Sequence, residues 1–323
     1  MKGIQTIEPF LCSNLIRKIS RGSRGARALS SKEAFVLYSA ILDGRVTDIE
    51  LGAVLTAYRM KGEIANELAA MLAAVQTSFI PVSINMDSCR AVSIPSYNGA
   101  RNRANLVPLL SLLLARKQIP VLIHGIMHDT ERVTSAEIFA SLSIFPSTSH
   151  EAIENSLRDR YIAFAPCDTF IPNVSRILSI RKTLGVRNSM HMLVKIIQPF
   201  QPAGLRLVNY THQRYRESLI HLFSRYPDAT LGDVLLGRGT EGEVVADTRN
   251  QLQVDWFHDG IRDTVIGANR LKLDDSKLNI DLPKSRDAAS TAIWISDVLR
   301  GDIPVPYAIA EQVDVIVKIV QAN

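Results

Sequence analysis

From Ala91 onward, short apolar runs bounded by turn residues, AVSIP and IPVLIHG, alternate with longer runs of helical spacing, NLVPLLSLLLAR and SAEIFASLSI. A short continuous apolar run suits a strand buried on both faces, and a long run with spacings of three and four suits a helix. Strict alternation of the two predicts βαβ units and a parallel sheet, because parallel strands need a crossover to carry the chain back. LRLVNY and DVLLGRG read as further strands, and the closing residues read as a strand alternating with helices around Ala288–Leu299 and Tyr307–Val320.

Upstream the period is different. Between Ser30 and Gln76 apolar residues recur at three and four, as in Phe35, Leu37, Tyr38, Ile41 and Leu42, which predicts three short helices. Ser30 or Ser31 is expected to cap the first, with Glu33 in its first turn, and Asp48 the second, after the Gly44 break. The fold class is therefore α/β: a small helical N-terminal domain over residues 1–80, then a larger α/β domain with a mostly parallel central sheet.

With 46% hydrophobic residues in 323, the chain has ample material for a core. No apolar stretch approaches a membrane span and the start lacks a secretory h-region, so a cytoplasmic protein without membrane contact is expected. Cys12, Cys89 and Cys167 are far apart and without metal-ligand spacing, which argues against disulfides and structural zinc.

The 37 Lys and Arg against 32 Asp and Glu leave a net charge of only +5, so clustering matters more than the total. Arg17, Lys18, Arg21, Arg24 and Arg27 crowd the N-terminal region among Ser and Gly. A second group, Arg176, Arg181, Lys182, Arg187, His191 and Lys195, contains no acidic residue between its ends. There Arg187, His191 and Lys195 at i, i+4 and i+8 are expected on one face of a helix, with Met190, Leu193, Val194 and Ile197 on the other. Such a stripe is either a solvated face or a phosphate-binding one, and a solvated face normally mixes signs. A third candidate is SYNGARNRANLVPLL, a turn through Asn98 and Gly99 leading to a helix near Ala104, whose N–H groups would hold an anion with help from Arg101 and Arg103. A plain strand-to-helix connection would look the same. His124 and Gly125 end a strand, with His128 and Asp129 following, and no third ligand or nucleophile elbow accompanies them. With 6% aromatics, and only Tyr97, Tyr210 and Tyr215 beside basic segments, a base-stacking platform is not evident.

Taken in order, these segments resemble glycosyltransferase family 3, in particular anthranilate phosphoribosyltransferase: a helical domain whose L-x-A-x-R-x-K-G-E ending corresponds to residues 55–63, a glycine turn, an HG turn after a strand, and an R-x-x-x-G-x-R segment at Arg181–Arg187. The resemblance implies that return helices at about 171–198 join the helical domain, that the α/β domain comprises residues 81–170 and 199–323, and that two copies pair through the helical domain as a homodimer. It also marks departures. Where the synthase has GTGGD around the diphosphate of phosphoribosyl pyrophosphate, the chain reads Ser96, Tyr97, Asn98, Gly99, Ala100. NIST becomes Asn105, Leu106, Val107, Pro108, and KHGN keeps only His124 and Gly125 between Ile123 and Ile126. The magnesium-binding Asp–Glu pair falls at Val244 and Val245, with Glu241 and Glu243 nearby. The family arginine at Arg187 contacts anthranilate, and Lys195 stands where the synthase has a proline.

One branch, the YbiB-type proteins, shares the IPSYNGAR turn, the GVRNS segment and an HGTEGEV-like segment, matched here by Ile94–Arg101, Gly185–Ser189 and Arg238–Val244. That resemblance implies sequence-independent binding of DNA and RNA along a basic groove of a homodimer. The expected contacts are Arg176, Arg181, Lys182, Arg187, His191 and Lys195, with Arg101, Arg103, Arg21 and Arg24 as a second line. Ser96, Tyr97, Asn98, Gly99, Asn105, His124 and Gly125 then mark a former phosphoribosyl pyrophosphate site, with no catalytic residue, metal or cofactor. The alternative is a transferase of altered specificity that still binds magnesium, with Glu241 and Glu243 as the metal ligands.

Overall fold

The computed structural model describes residues 8–84, 89–249, 253–267 and 282–322. The chain forms two compact units. One comprises Met1–Ile80, Ile171–Ile197 and Asp228–Thr230, and the other Pro81–Phe170, Gln198–Pro227 and Leu231–Asn323.

In the helical unit the helices Ser31–Leu42, Asp48–Lys61 and Ala65–Gln76 follow the predicted spacing. Ser30 caps the first in a reciprocal box, its Oγ accepting from the Glu33 N–H at 3.3 Å while Glu33 accepts from the Ser30 N–H at 2.8 Å. The second is capped by Thr47 with Glu50, not by Asp48, which is the first helical residue. At the entrance to the third, Glu67 is wholly buried and accepts from Leu29 N at 2.8 Å, Tyr58 Oη at 3.1 Å and Lys61 Nζ at 2.7 Å. A buried carboxylate needs such company, and this one ties three segments together.

The expected continuous helix through Arg187 and Lys195 does not form. The chain makes Pro172–Ser179, Arg181–Leu184 and Met190–Leu193, with Gly185 closing the second in the left-handed region at φ 71°. Asn188 explains the break: its buried side chain donates to the Ile177 carbonyl at 3.1 Å and accepts from the Met190 N–H at 3.1 Å, starting a new turn. Ser189 beside it donates to the Glu63 carboxylate, joining the GVRNS segment to the K-G-E ending within this unit.

The α/β unit has nine strands among the described residues: β1 Val82–Ser83, β2 Val92–Ser96, β3 Val121–Gly125, β4 Ile162–Pro166, β5 Phe200–Gln201, β6 Leu205–Asn209, β7 Val234–Gly237, β8 Val254–His258 and β9 Ile261–Ile266. β1 and β5 pair separately, while the main sheet runs β4-β3-β2-β6-β7-β8-β9. Its first five strands are parallel, and the last two pairings, β7–β8 and β8–β9, are antiparallel. β2, β3 and β6 are buried along their whole length, which is why they read as continuous apolar runs. Ile94, Ile123 and Leu207 of the sheet share one core with Leu110 of helix Val107–Arg116, Ile295 of helix Ala288–Arg300 and Ile316 of helix Tyr307–Gln321. Among the described residues, the strand expected to alternate with the last two helices does not form, and the hairpin β8–β9 is a feature the sequence reading lacks. Its signal was present: Asp259 and Gly260, both at positive φ, form the two-residue turn that suits a twisted hairpin. Among the described residues, no helix is long and apolar enough to cross a membrane.

Candidate functional site

The turn after β2 is the expected anion site, and in the structure the protein's own carboxylates fill it. One carboxylate oxygen of Glu243, Oε1, accepts from the N–H groups of Asn98 at 2.8 Å and Gly99 at 2.7 Å. Glu241 accepts from Arg101 N at 2.6 Å and Asn102 N at 3.0 Å. Burial alone would push the Glu241 carboxyl up, but the Asn102 and Arg101 N–H groups outweigh it and hold the group below its ordinary value. The Asn98 amide donates to the Gly242 carbonyl at 2.6 Å, and a Cβ at Gly242 would meet that amide at 2.2 Å, so this close approach requires glycine. The helix begins at Val107, not near Ala104, and the Asn105 side chain accepts from Val107 N at 3.1 Å just ahead of it.

The two arginines expected to reinforce an anion are also engaged: Arg101 pairs with Glu131, and Arg103 with Asp247 at 2.8 Å. Ser96, Asn105 and Ser135 form a buried chain, Ser96 Oγ to Ser135 Oγ at 2.7 Å and Asn105 Nδ2 to the same oxygen at 3.1 Å. His124 lies between Ser93 Oγ at 3.1 Å and Tyr97 Oη at 2.8 Å. Burial lowers its pKa to about 3, so the ring is a neutral strut between β2 and β3. Gly125 is held by sterics, since a Cβ there would meet the Ser96 carbonyl oxygen at 1.9 Å.

In the helical unit, Arg176, Arg181 and Lys182 are exposed, with Arg176 Nη2 donating to the Ile41 carbonyl at 2.5 Å. Arg187, His191 and Lys195 are half-buried rather than on an open helical face. Burial, then the nearby Arg187, Arg181 and Lys195 charges, lowers the His191 pKa to about 4. His191 therefore adds no charge near neutral pH, contrary to expectation, but it marks where three cations converge. Arg21 is exposed, Lys18 is paired with Glu33 at 2.7 Å, and the Arg24 side chain lies outside the described residues.

The helical-bundle domain of a glycosyl transferase family matches residues 13–79. The protein YbiB of Escherichia coli K12 is 35% identical over 300 residues, spanning 92% of this chain and 91% of YbiB. The chain belongs to the glycosyltransferase 3 family. Within that family, the anthranilate phosphoribosyltransferase of Bradyrhizobium diazoefficiens is 24% identical over 89% of this chain and 82% of its own. The crystal structure of anthranilate phosphoribosyltransferase from Thermus thermophilus superposes with a TM-score of 0.68 at 20% identity, covering 92% of this chain and 85% of that one, and so shares the fold. For a glycosyltransferase 3 chain, the retained His124–Gly125 pair has a structural explanation in the β2–β3 contact. In the sequence, Glu241 and Glu243 suggest metal ligands rather than acceptors for the turn. Their flanking glycines, Gly239 and Gly242, were the available sign of a tight loop.

Proposed function

We propose that the protein binds DNA and RNA through their phosphates, without base preference and without the family's transferase chemistry. The observation that carries this reading is the group Arg176, Arg181, Lys182, Arg187 and Lys195: five permanent cations in one stretch of the helical unit, no acidic residue among them, three of them exposed and three gathered around His191. Cations so arranged neutralise phosphates and release counterions. Arg21, Arg101 and Arg103 form a second line, the last two weakened by their ion pairs. Pairing of two copies through the helical unit is part of the proposal, supported by the exposed Ile49 and Met60 side chains.

What supports the loss of transferase chemistry is the turn itself. The residues present do not fit a magnesium–diphosphate site. The turn's N–H groups are taken by Glu241 and Glu243, and the positions matching the family's acidic pair are buried Val244 and Val245. The second reading, a transferase of altered specificity, draws on a cleft of about 530 Å³ lined by Arg103, Tyr210, Arg238 and Asp247. Tyr210 and Arg238 follow the C-terminal ends of β6 and β7, where open parallel sheets usually bind ligands.

Fluorescence anisotropy of arbitrary single- and double-stranded oligonucleotides at two salt concentrations tests the proposal. Sequence-indifferent binding that falls steeply with salt is the expected result. Absence of binding at low salt would overturn it and leave the altered transferase.

A further inference from the structure

Beside the filled turn, and apart from the cations of the helical unit, the α/β unit has a second basic feature. Arg103, Arg249, Lys284 and Arg286 line one cleft of about 440 Å³, with the Thr240 and Thr248 hydroxyls beside them. Among the described residues, no carboxylate lines it. Two acidic residues close to the lining in sequence have contacts of their own. Asp247 pairs with Arg103 at 2.8 Å and accepts from the Arg249 N–H at 2.9 Å, and Asp287 caps helix Ala288–Arg300 by accepting from Ser290 N at 2.8 Å. Arg249, Lys284 and Arg286 are all exposed.

Even with Arg103 paired to Asp247, the cations around this one concavity repel one another, and an arrangement of that kind is stabilised by an anion with several charges. The volume lies in the range of small-molecule sites, roughly 300–1,000 Å³. Its wall offers guanidinium forks, an ammonium and hydroxyls, the donor set that suits phosphate oxygens. The described lining offers a hard cation no carboxylate, and the arginines and the lysine are the groups that neutralise the charge.

We propose that this cleft is a metal-independent phosphate-binding site, taking a run of linked phosphates through Arg103, Arg249, Lys284 and Arg286. The phosphates belong either to a free polyphosphate or to a polynucleotide backbone. In the second case the inference rests on the nucleic-acid reading and extends it to the α/β unit.

The test uses the full chain and the triple reversal Arg249→Glu with Lys284→Glu and Arg286→Glu, which leaves the Arg103–Asp247 pair intact. A control reverses three exposed cations elsewhere on the same unit, Lys117→Glu with Arg158→Glu and Arg225→Glu. Inorganic tripolyphosphate is titrated calorimetrically without divalent metal, and a labelled single-stranded oligonucleotide is titrated by anisotropy with tripolyphosphate as competitor. The expected result is tripolyphosphate binding by the wild type, weakened about tenfold or more in the cleft variant and much less in the control. Parallel loss of oligonucleotide affinity, with competition by tripolyphosphate, assigns the cleft to a polynucleotide backbone. Unchanged oligonucleotide binding assigns it to free polyphosphate. Equal weakening by the control, or binding of both probes by a folded cleft variant as tight as wild type, overturns the site. If the wild type takes tripolyphosphate but no oligonucleotide, the nucleic-acid function fails while the cleft stands. Should the glutamate variant misfold, the glutamine triple variant gives the same comparison without charge reversal.

Discussion

Glu243 and Asn98 are joined on two sides: the carboxylate takes the Asn98 N–H at 2.8 Å, and the Asn98 amide donates to the carbonyl of neighbouring Gly242 at 2.6 Å. Glu243 is buried and its Oε1 also takes the Gly99 N–H at 2.7 Å. Glu243→Ala leaves two buried N–H groups without that acceptor, at about 1–3 kcal/mol each. A drop of about 3 kcal/mol in urea-unfolding stability is expected, with Glu243→Gln, which keeps one acceptor oxygen, losing about half as much. A folded Ala variant as stable as wild type would show that the carboxylate does not hold the turn.

The filled turn also has a catalytic consequence. Phosphoribosyl pyrophosphate with magnesium and anthranilate should give no phosphoribosyl transfer, and calorimetry should detect no binding of the diphosphate substrate. Turnover above background would restore the altered transferase as the better reading.

At Gly125 the obstacle is backbone rather than a flexible side chain, with the Ser96 carbonyl oxygen 1.9 Å from the position of a Cβ. Gly125→Ala must separate the ends of β2 and β3, so a loss of about 3 kcal/mol or more is expected. Thermal melting checks this, and a change within about 0.5 kcal/mol would contradict the close approach.

Two histidines contribute to the loss of stability in acid. Burial lowers His124 from its ordinary 6.5 to about 3, and burial with neighbouring cations lowers His191 from 6.5 to about 4. Both bind protons more readily in the unfolded chain, so their contribution is complete above about pH 6.5 and is lost as the pH falls toward 4 for His191 and 3 for His124. The slope approaches about 1.4 kcal/mol per pH unit for each. Urea midpoints at about pH 7 and pH 5 measure it. His191→Gln should flatten the dependence, and an unchanged slope would remove His191 from the account.

For nucleic-acid binding, Arg181 and Lys182 are the informative pair, because both are exposed whereas Arg187 and Lys195 are half-buried. Arg181→Glu with Lys182→Glu should keep the melting temperature and weaken oligonucleotide binding about tenfold or more. The slope of log affinity against log salt should fall by about 0.9 for each duplex phosphate that is no longer neutralised. Wild-type affinity in the folded double variant would remove this surface from the interface.

The two classes of element are legible in the order of residues alone. Spacing of three and four between Ser30 and Gln76 made helices, and continuous apolar runs such as AVSIP and IPVLIHG made buried parallel strands, because local period and burial are written residue by residue. The order of the family motifs also led to the fold. Tertiary structure alone decided the sites. Asn188 breaks the helix that would have displayed Arg187 and Lys195, by bonding to Ile177, eleven residues upstream. Glu241 and Glu243 reach the turn at Asn98–Asn102 from more than 130 residues away in sequence. A hydrogen-bond donor is spent or available according to which distant acceptor folding brings to it, and no local pattern encodes that pairing.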